Sequence, residues 1–369
     1  MQGETAKRQG QRGGRAGRIG RSEVEPHEDY GFFGPGSVAW KVWGYPTAPI
    51  VGFQRAIVVE PLDPPLVAAL DATQDLYKRP QTRYDRTLRY FQMVVFAGSR
   101  VVSKTADVLV KVHSKAIGKL PYEEGTYDAN DPDSQLWTHL VVWHSILYCY
   151  EKYGPGKLTA AEEAEYWESC AVAAELQTCS SDDVPRTREG IRQYFVAMRP
   201  KLKASPIALQ AMRHLLQTEM VVPPQMPWGQ RPIALAAAKS LRVATLATMP
   251  RWMREKAGLR QSRVLDVLIV PVMRVAFAVL HRRPQLELKL MGALTPSAVK
   301  VIAPVKLGVA ARTEEVLTPA EARERYGYAP PAEAHLEWRK RQAARVFGEG
   351  GAASDDGLIE SQELLGPLG

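Results

Sequence analysis

An all-α fold is the architecture this sequence predicts, and three observations predict it. Apolar residues recur at steps of three and four over long stretches. Helix-start chemistry is frequent, with Asp131-Pro132, Thr159 three residues before Glu162, and Thr318 three residues before Glu321. Strand alternation is scarce, and no internal repeat is present.

The chain has 369 residues, 45% hydrophobic and 24% charged, enough for a large core in an ordinary soluble composition. Its net charge of +8 comes partly from the N-terminus. Lys7, Arg8, Arg12, Arg15, Arg18 and Arg21 stand against one acid, Glu4, among glycines. Residues 1–25 therefore read as a disordered basic arm, more simply a solvated tail than a contact to nucleic acid or an anionic membrane. Residues 26–345 read as one helical domain and 346–369 as a flexible, Gly-rich acidic tail. Cys149, Cys170 and Cys179 form no CxxC and no even-numbered framework, so a reducing, cytoplasmic setting is the default expectation. No apolar h-region follows the arginines, so a secretory signal is not expected. The greasy stretch 264–280 is broken by Asp266, Pro271 and Arg274. It reads as a buried or interface-lying helix rather than a span, which leaves peripheral membrane contact open.

Element by element, residues 29–46 (DYGFFGPGSVAWKVWGYP) predict an irregular lead-in segment packed on the body. RYDRTLRY, residues 83–90, puts Arg83, Arg86 or Thr87, and Tyr90 on one helix face. Two guanidiniums and a hydroxyl on a stripe suit an anion held by charge-assisted bonds, or a solvent-facing basic helix. Val102, Ala106, Leu109, His113 and Ile117 form the next apolar row, with Gly118 as its expected stop. That row turns His113 inward, either as a core histidine bonded to a carbonyl or as a ligand to a metal or haem iron. Residues 131–154 predict a central helix, because Leu136, Leu140, Trp143, Leu147 and Tyr150 form a row and Trp137, Val141 and Tyr148 lie off it. His139 and His144 both sit in this helix. Five residues apart, they point roughly 140° away from each other and cannot easily share an ion.

Absent motifs narrow the chemistry. There is no GxGxxG, no Walker loop, no GxSxG, no HExxH and no CxxCH. Apolar pockets, inward histidines and a basic stripe in an all-helical body are compatible with non-covalent haem held by histidine.

FGPGSVAWKVWGYP, RYDRTLRY, KVHSKAIG and YDANDPDSQLWTHL, taken in this order, resemble the MpaB-like oxygenase family, which shares its catalytic domain with the latex-clearing rubber oxygenases. The resemblance covers about residues 29–255. It implies a globin-like helical core with additional helices, binding haem b through one histidine. In the rubber oxygenases an R-x-x-K-T run supplies distal residues and a histidine about thirty residues later is the axial ligand. Here R-x-x-R-T is Arg83, Arg86 and Thr87, and His113 stands near that distance. The resemblance thus implies His113 as the iron ligand, with Arg83, Arg86 and Thr87 serving catalysis and Arg83 and Tyr90 the cofactor. His139, in WTHL, stays open as the ligand, a trans ligand or a supporting residue. The chain departs from the pattern at Arg86, which stays protonated where the rubber oxygenases have lysine. Glu60 is a candidate for the family's catalytic glutamate. The implied substrate is hydrophobic, isoprenoid or unsaturated, with dioxygen; extracellular rubber is not expected. The rival readings are a haem-binding sensor or carrier without turnover, a helical protein whose histidines are structural, and an interaction protein working through its basic arm.

Overall fold

The structure is a computed structural model that describes residues 18–218, 222, 226–348 and 350–351. Most of the predicted basic arm and of the acidic tail lies outside the described residues. Helices make up 67% of the structure, so the fold class is all-α. The chain runs through α1 (Val38–Trp43), α2 (Phe53–Val59), α3 (Pro64–Thr73), α4 (Asp75–Lys78), α5 (Pro80–Phe96) and α6 (Ser99–His113). Two short antiparallel strands follow, β1 (Ile117–Lys119) and β2 (Thr126–Asp128). Then come α7 (Pro132–Tyr153), α8 (Ala160–Ala174), α9 (Arg188–Met198), α10 (Pro206–Leu215), α11 (Arg231–Thr248) and α12 (Arg251–Lys256). The last helices are α13 (Arg263–His281), α14 (Pro284–Leu294), α15 (Pro296–Lys306), α16 (Pro319–Tyr326) and α17 (Leu336–Ala343).

Helix α7 is central, as its all-round apolar sequence requires. Asp131 accepts from the Ser134 amide at 3.0 Å, Pro132 occupies the first turn, and Gly154 ends the helix. Trp137, Leu140, Trp143 and Ile146 are fully buried. Trp143 meets Trp43 of α1 edge-on at 5.2 Å and Tyr166 of α8 at the same distance. Each such side chain contributes about 1.5–3 kcal/mol by leaving water. The capping boxes at Thr159 and Thr318 both form as the spacing predicts.

Two expectations are corrected. The His113 helix does not run on to Gly118 but ends at His113. The Val110 carbonyl there accepts from Ser114 Oγ and Asn130 Nδ2, both at 2.8 Å. The chain then turns into β1, where Ile117 pairs with Asp128. Gly118 is glycine for another reason: a Cβ would sit 2.7 Å from the Tyr127 hydroxyl. Second, the described end of the basic arm, residues 18–25, lies on the body. Ile19 exchanges two backbone hydrogen bonds with the Gln285 amide at 3.0 and 2.8 Å, and Arg21 donates to the Gly308 carbonyl.

Candidate functional site

Helix α5 starts with Pro80 preset for the first turn. Steps of three and four from Arg79 then put Arg83, Arg86, Thr87 and Tyr90 on one face. That face looks across a cavity to α3 (Leu66, Ala69, Leu70) and α6 (Thr105, Val108, Leu109, Val112). Glu60, His113, Asp128, Gln135 and Gln177 are among the other polar groups of its wall. The empty space, open mouth included, is about 1550 Å³. Arg83, Arg86, Thr87, Tyr90 and His113, distant in sequence, thus line one apolar chamber together with Glu60.

His113 ends α6 with its ring on the chamber. Nδ1 lies 3.1 Å from Gln135 Nε2, an amide nitrogen that also donates to the Ala129 carbonyl. Among the described residues, nothing hydrogen-bonds to Nε2. Burial lowers its pKa to about 4, and the positive charge of Arg83 adds to the effect. The imidazole is therefore neutral at physiological pH, as a metal ligand must be.

Glu60 follows the last turn of α2. Burial pushes its carboxyl up to about 7, against the pull of Arg83. A carboxyl poised near neutrality in a cleft is suited to proton transfer. Thr87 Oγ1 donates to the Arg83 carbonyl at 2.9 Å, one turn back. The Tyr90 hydroxyl reaches the Leu176 carbonyl at 3.5 Å, and burial raises its pKa.

His139 is elsewhere. It is fully buried, off the chamber wall, and both ring nitrogens are engaged. Nε2 lies 2.7 Å from the Cys170 carbonyl and Nδ1 2.7 Å from Gln177 Nε2. Its pKa is lowered to about 4 by burial, against the carbonyl bond, so the ring is neutral. It stands behind Gln177, which does line the chamber. His144 faces a different cavity.

Sequence reasoning missed Arg79, Gln135 and Gln177. Arg79 was legible, four residues before Arg83 on the same stripe. Gln135 was a polar residue one turn into an apolar helix, a weak signal. Gln177 lies in an irregular stretch and carried none. Among the described residues no three His, Cys, Asp or Glu side chains gather to hold a metal ion.

The family described as "ER-bound oxygenase mpaB/B'/Rubber oxygenase, catalytic domain" matches residues 40–282 of the chain, a span that takes in every residue lining the chamber. No curated protein and no solved structure matches it.

Proposed function

The chain belongs to the mpaB/rubber oxygenase catalytic-domain family, and from that premise we propose that it is a haem b-dependent oxygenase acting on a hydrophobic substrate with dioxygen. The observation that carries this reading is His113: one neutral imidazole, its Nε2 unclaimed, on the wall of an apolar chamber with three arginines. A single imidazole cannot hold a bare ion, but it suits an iron already chelated in a macrocycle. Arg79, Arg83 and Arg86 match anionic propionates by charge, and the walls from α3 and α6 match a flat apolar ring system. Bound haem would supply the iron that binds and activates dioxygen.

The chain's own residues supply the rest. His113 would offer Nε2 to the iron. To serve the matching tautomer Gln135 would have to leave the Ala129 carbonyl and present Oε1 to accept from Nδ1–H, which would fix the ring. Glu60 would take or return a proton at the substrate, a role its near-neutral pKa supports. Leu66, Leu70 and Val108 would exclude water around an isoprenoid or unsaturated chain. Glu60 also favours turnover over carriage, because a haem carrier has no use for a buried carboxyl poised near neutrality.

The test is an absorption spectrum of protein reconstituted with haem. We expect a Soret band in wild type and in His139→Gln, and its loss in a folded His113→Ala. A band that survives in His113→Ala and disappears in His139→Gln would overturn the assignment.

A second feature supports peripheral membrane contact. Val264, Val267, Leu268, Val272, Val275 and Val279 on α13 are 46–69% exposed, unlike the outer face of an ordinary soluble helix. The polar residues that break the stretch turn to the body instead. Asp266 pairs with Arg254 at 2.9 Å, and Arg274 Nε donates to the Lys152 carbonyl at 2.9 Å. Such a helix suits the interface plane of a lipid bilayer, a place from which a lipophilic substrate can be drawn.

A further inference from the structure

A second cavity is lined by a later stretch of α7 than the chamber, together with α2, α9 and α12. Its wall holds Arg55, Arg188, Arg192 and Arg199 and one carboxylate, Glu151, with Tyr148, His144, Phe195 and Trp252. Arg55 is a lone cation in the apolar sequence of α2 and is only 4% exposed. Its Nη1 donates to Ser145 Oγ at 2.5 Å and its Nε to the Thr248 carbonyl at 3.3 Å. Its guanidinium lies 5.2 Å from the centre of the Tyr148 ring. No carboxylate pairs with it among the described residues. The charged and titratable groups around it are Cys149, Tyr148, His144 and Lys152. Burial pushes the Cys149 thiol up to about 12, so that group is neutral.

A buried cation normally comes with an anion, because desolvation is too costly otherwise. The acids nearby are already used. Glu151 and Glu163 are both held by Arg188, at 2.6 and 2.8 Å, and Glu189 is held by Arg192 at 3.0 Å. Arg199, at the mouth, sits 5.1 Å over the Trp252 ring and has no carboxylate partner among the described residues. The His144 ring stands 4.9 Å from Phe195, and its Nδ1 is buried without a partner. The cavity thus has, besides the paired Arg188 and Arg192, a cation at depth and another at its mouth that no carboxylate pairs among the described residues, with aromatic walls between them.

We propose that this cavity binds a small organic carboxylate with an aromatic body, its carboxylate neutralising Arg55 and its ring packed among Phe195, Tyr148 and Trp252. The site is separate from the oxygenase chamber and does not depend on haem. Arg–carboxylate pairing supplies the charge-assisted bonds, and the rings supply apolar contact.

Calorimetric titration of the full chain with a naphthoate, beside the neutral naphthalenemethanol, tests it. The naphthoate should bind and the alcohol should bind about tenfold more weakly or worse, the effect of losing one charge-assisted bond. Arg55→Gln should weaken naphthoate binding about tenfold, and Arg199→Gln about threefold. Arg83→Gln, on the other chamber, should leave it unchanged. Absence of naphthoate binding, equal affinity for the alcohol, or a loss confined to Arg83→Gln would overturn the proposal. Should Arg55→Gln fail to fold by circular dichroism, the exposed Arg199→Gln and the alcohol comparison decide by themselves: an unchanged affinity in either overturns it.

Discussion

Glu60 and His113 face one chamber, and burial moves their titrations toward opposite ends of the same pH window. The Glu60 carboxyl rises from 4.5 to about 7, and the His113 imidazole falls from 6.5 to about 4. Between pH 4.5 and 7 the folded state holds a proton on Glu60 that the unfolded chain has released, so this group makes stability fall as pH rises. His113 acts in reverse, since the unfolded ring takes up a proton below pH 6.5 that the folded one refuses until about 4. Its contribution is present above 6.5 and is lost as pH falls. His139, also lowered to about 4, adds to that second slope. Glu60→Gln removes only the opposing slope. Urea unfolding of the haem-free protein should therefore show the variant gaining about 2–3 kcal/mol relative to wild type between pH 5 and pH 8. An equal difference at both pH values would mean that Glu60 is ionised in the folded chamber. On the proposed proton-transfer role, the same carboxyl should give turnover a pH limb near 7 that Glu60→Gln abolishes. At this scale the sequence was half legible. His113 and His139 both sit in apolar helical rows, and only their partners separate them: Gln135 on one nitrogen of His113, against Cys170 and Gln177 on both nitrogens of His139.

The helix starts could be read directly because each cap closes within a few residues. Asp131 meets Ser134, Thr159 meets Glu162 and Thr318 meets Glu321. The stripe Arg83, Arg86, Thr87 and Tyr90 could be read for the same reason, since helical period alone puts those side chains on one face. The end of α6 could not. Asn130, twenty residues downstream, holds the Val110 carbonyl, and β1 pairs with β2 across a loop. Both are tertiary choices that override a local apolar row. Asn130 therefore links the strand pair to the turn that carries His113. Its amide is buried, and it donates at 2.8 Å to Val110 and at 3.4 Å to Ser114 Oγ. Asn130→Ala should cost about 0.5–1.5 kcal/mol, the net worth of one hydrogen bond, because Ser114 still donates to the Val110 carbonyl. Haem affinity should fall with it, since the last turn of α6 loses its anchor. Thermal unfolding and haem titration read the two effects separately. Loss of stability with unchanged haem affinity would detach the cap from the site.

On the scale of the molecule, the sequence conveys the helical body but not the two chambers, which form only where α3, α5, α6 and α7, and α2, α7, α9 and α12, converge. Charge and apolarity on the outer surface are also a tertiary matter. Asp266, Pro271 and Arg274 interrupt the sequence of α13, yet the helix continues through Pro271 and Asp266 pairs with Arg254. Ile269, Met273 and Phe277 pack inward, and the valines face out. Residues 251–292 hold nine Lys and Arg against three Asp and Glu. Two of those acids are spent, Asp266 on Arg254 and Glu287 on Lys306 at 2.6 Å. An apolar face in a stretch with this excess of cations complements an anionic lipid surface, to which each cation near the surface adds about 1 kcal/mol. The full chain should sediment with vesicles containing phosphatidylserine, less with pure phosphatidylcholine, and less again at high salt. Replacing Val267 and Val275 together by Asp should leave folding nearly intact, because both are exposed. It should also weaken vesicle binding about tenfold or more, through lost apolar burial and added like charge against the lipid. A competing use of the face, docking onto a second copy, predicts a dimer in lipid-free sedimentation equilibrium that the same substitutions dissolve. A dimer without vesicle binding would transfer the valine face from the bilayer to the partner subunit, while the chamber at His113 would keep its reading.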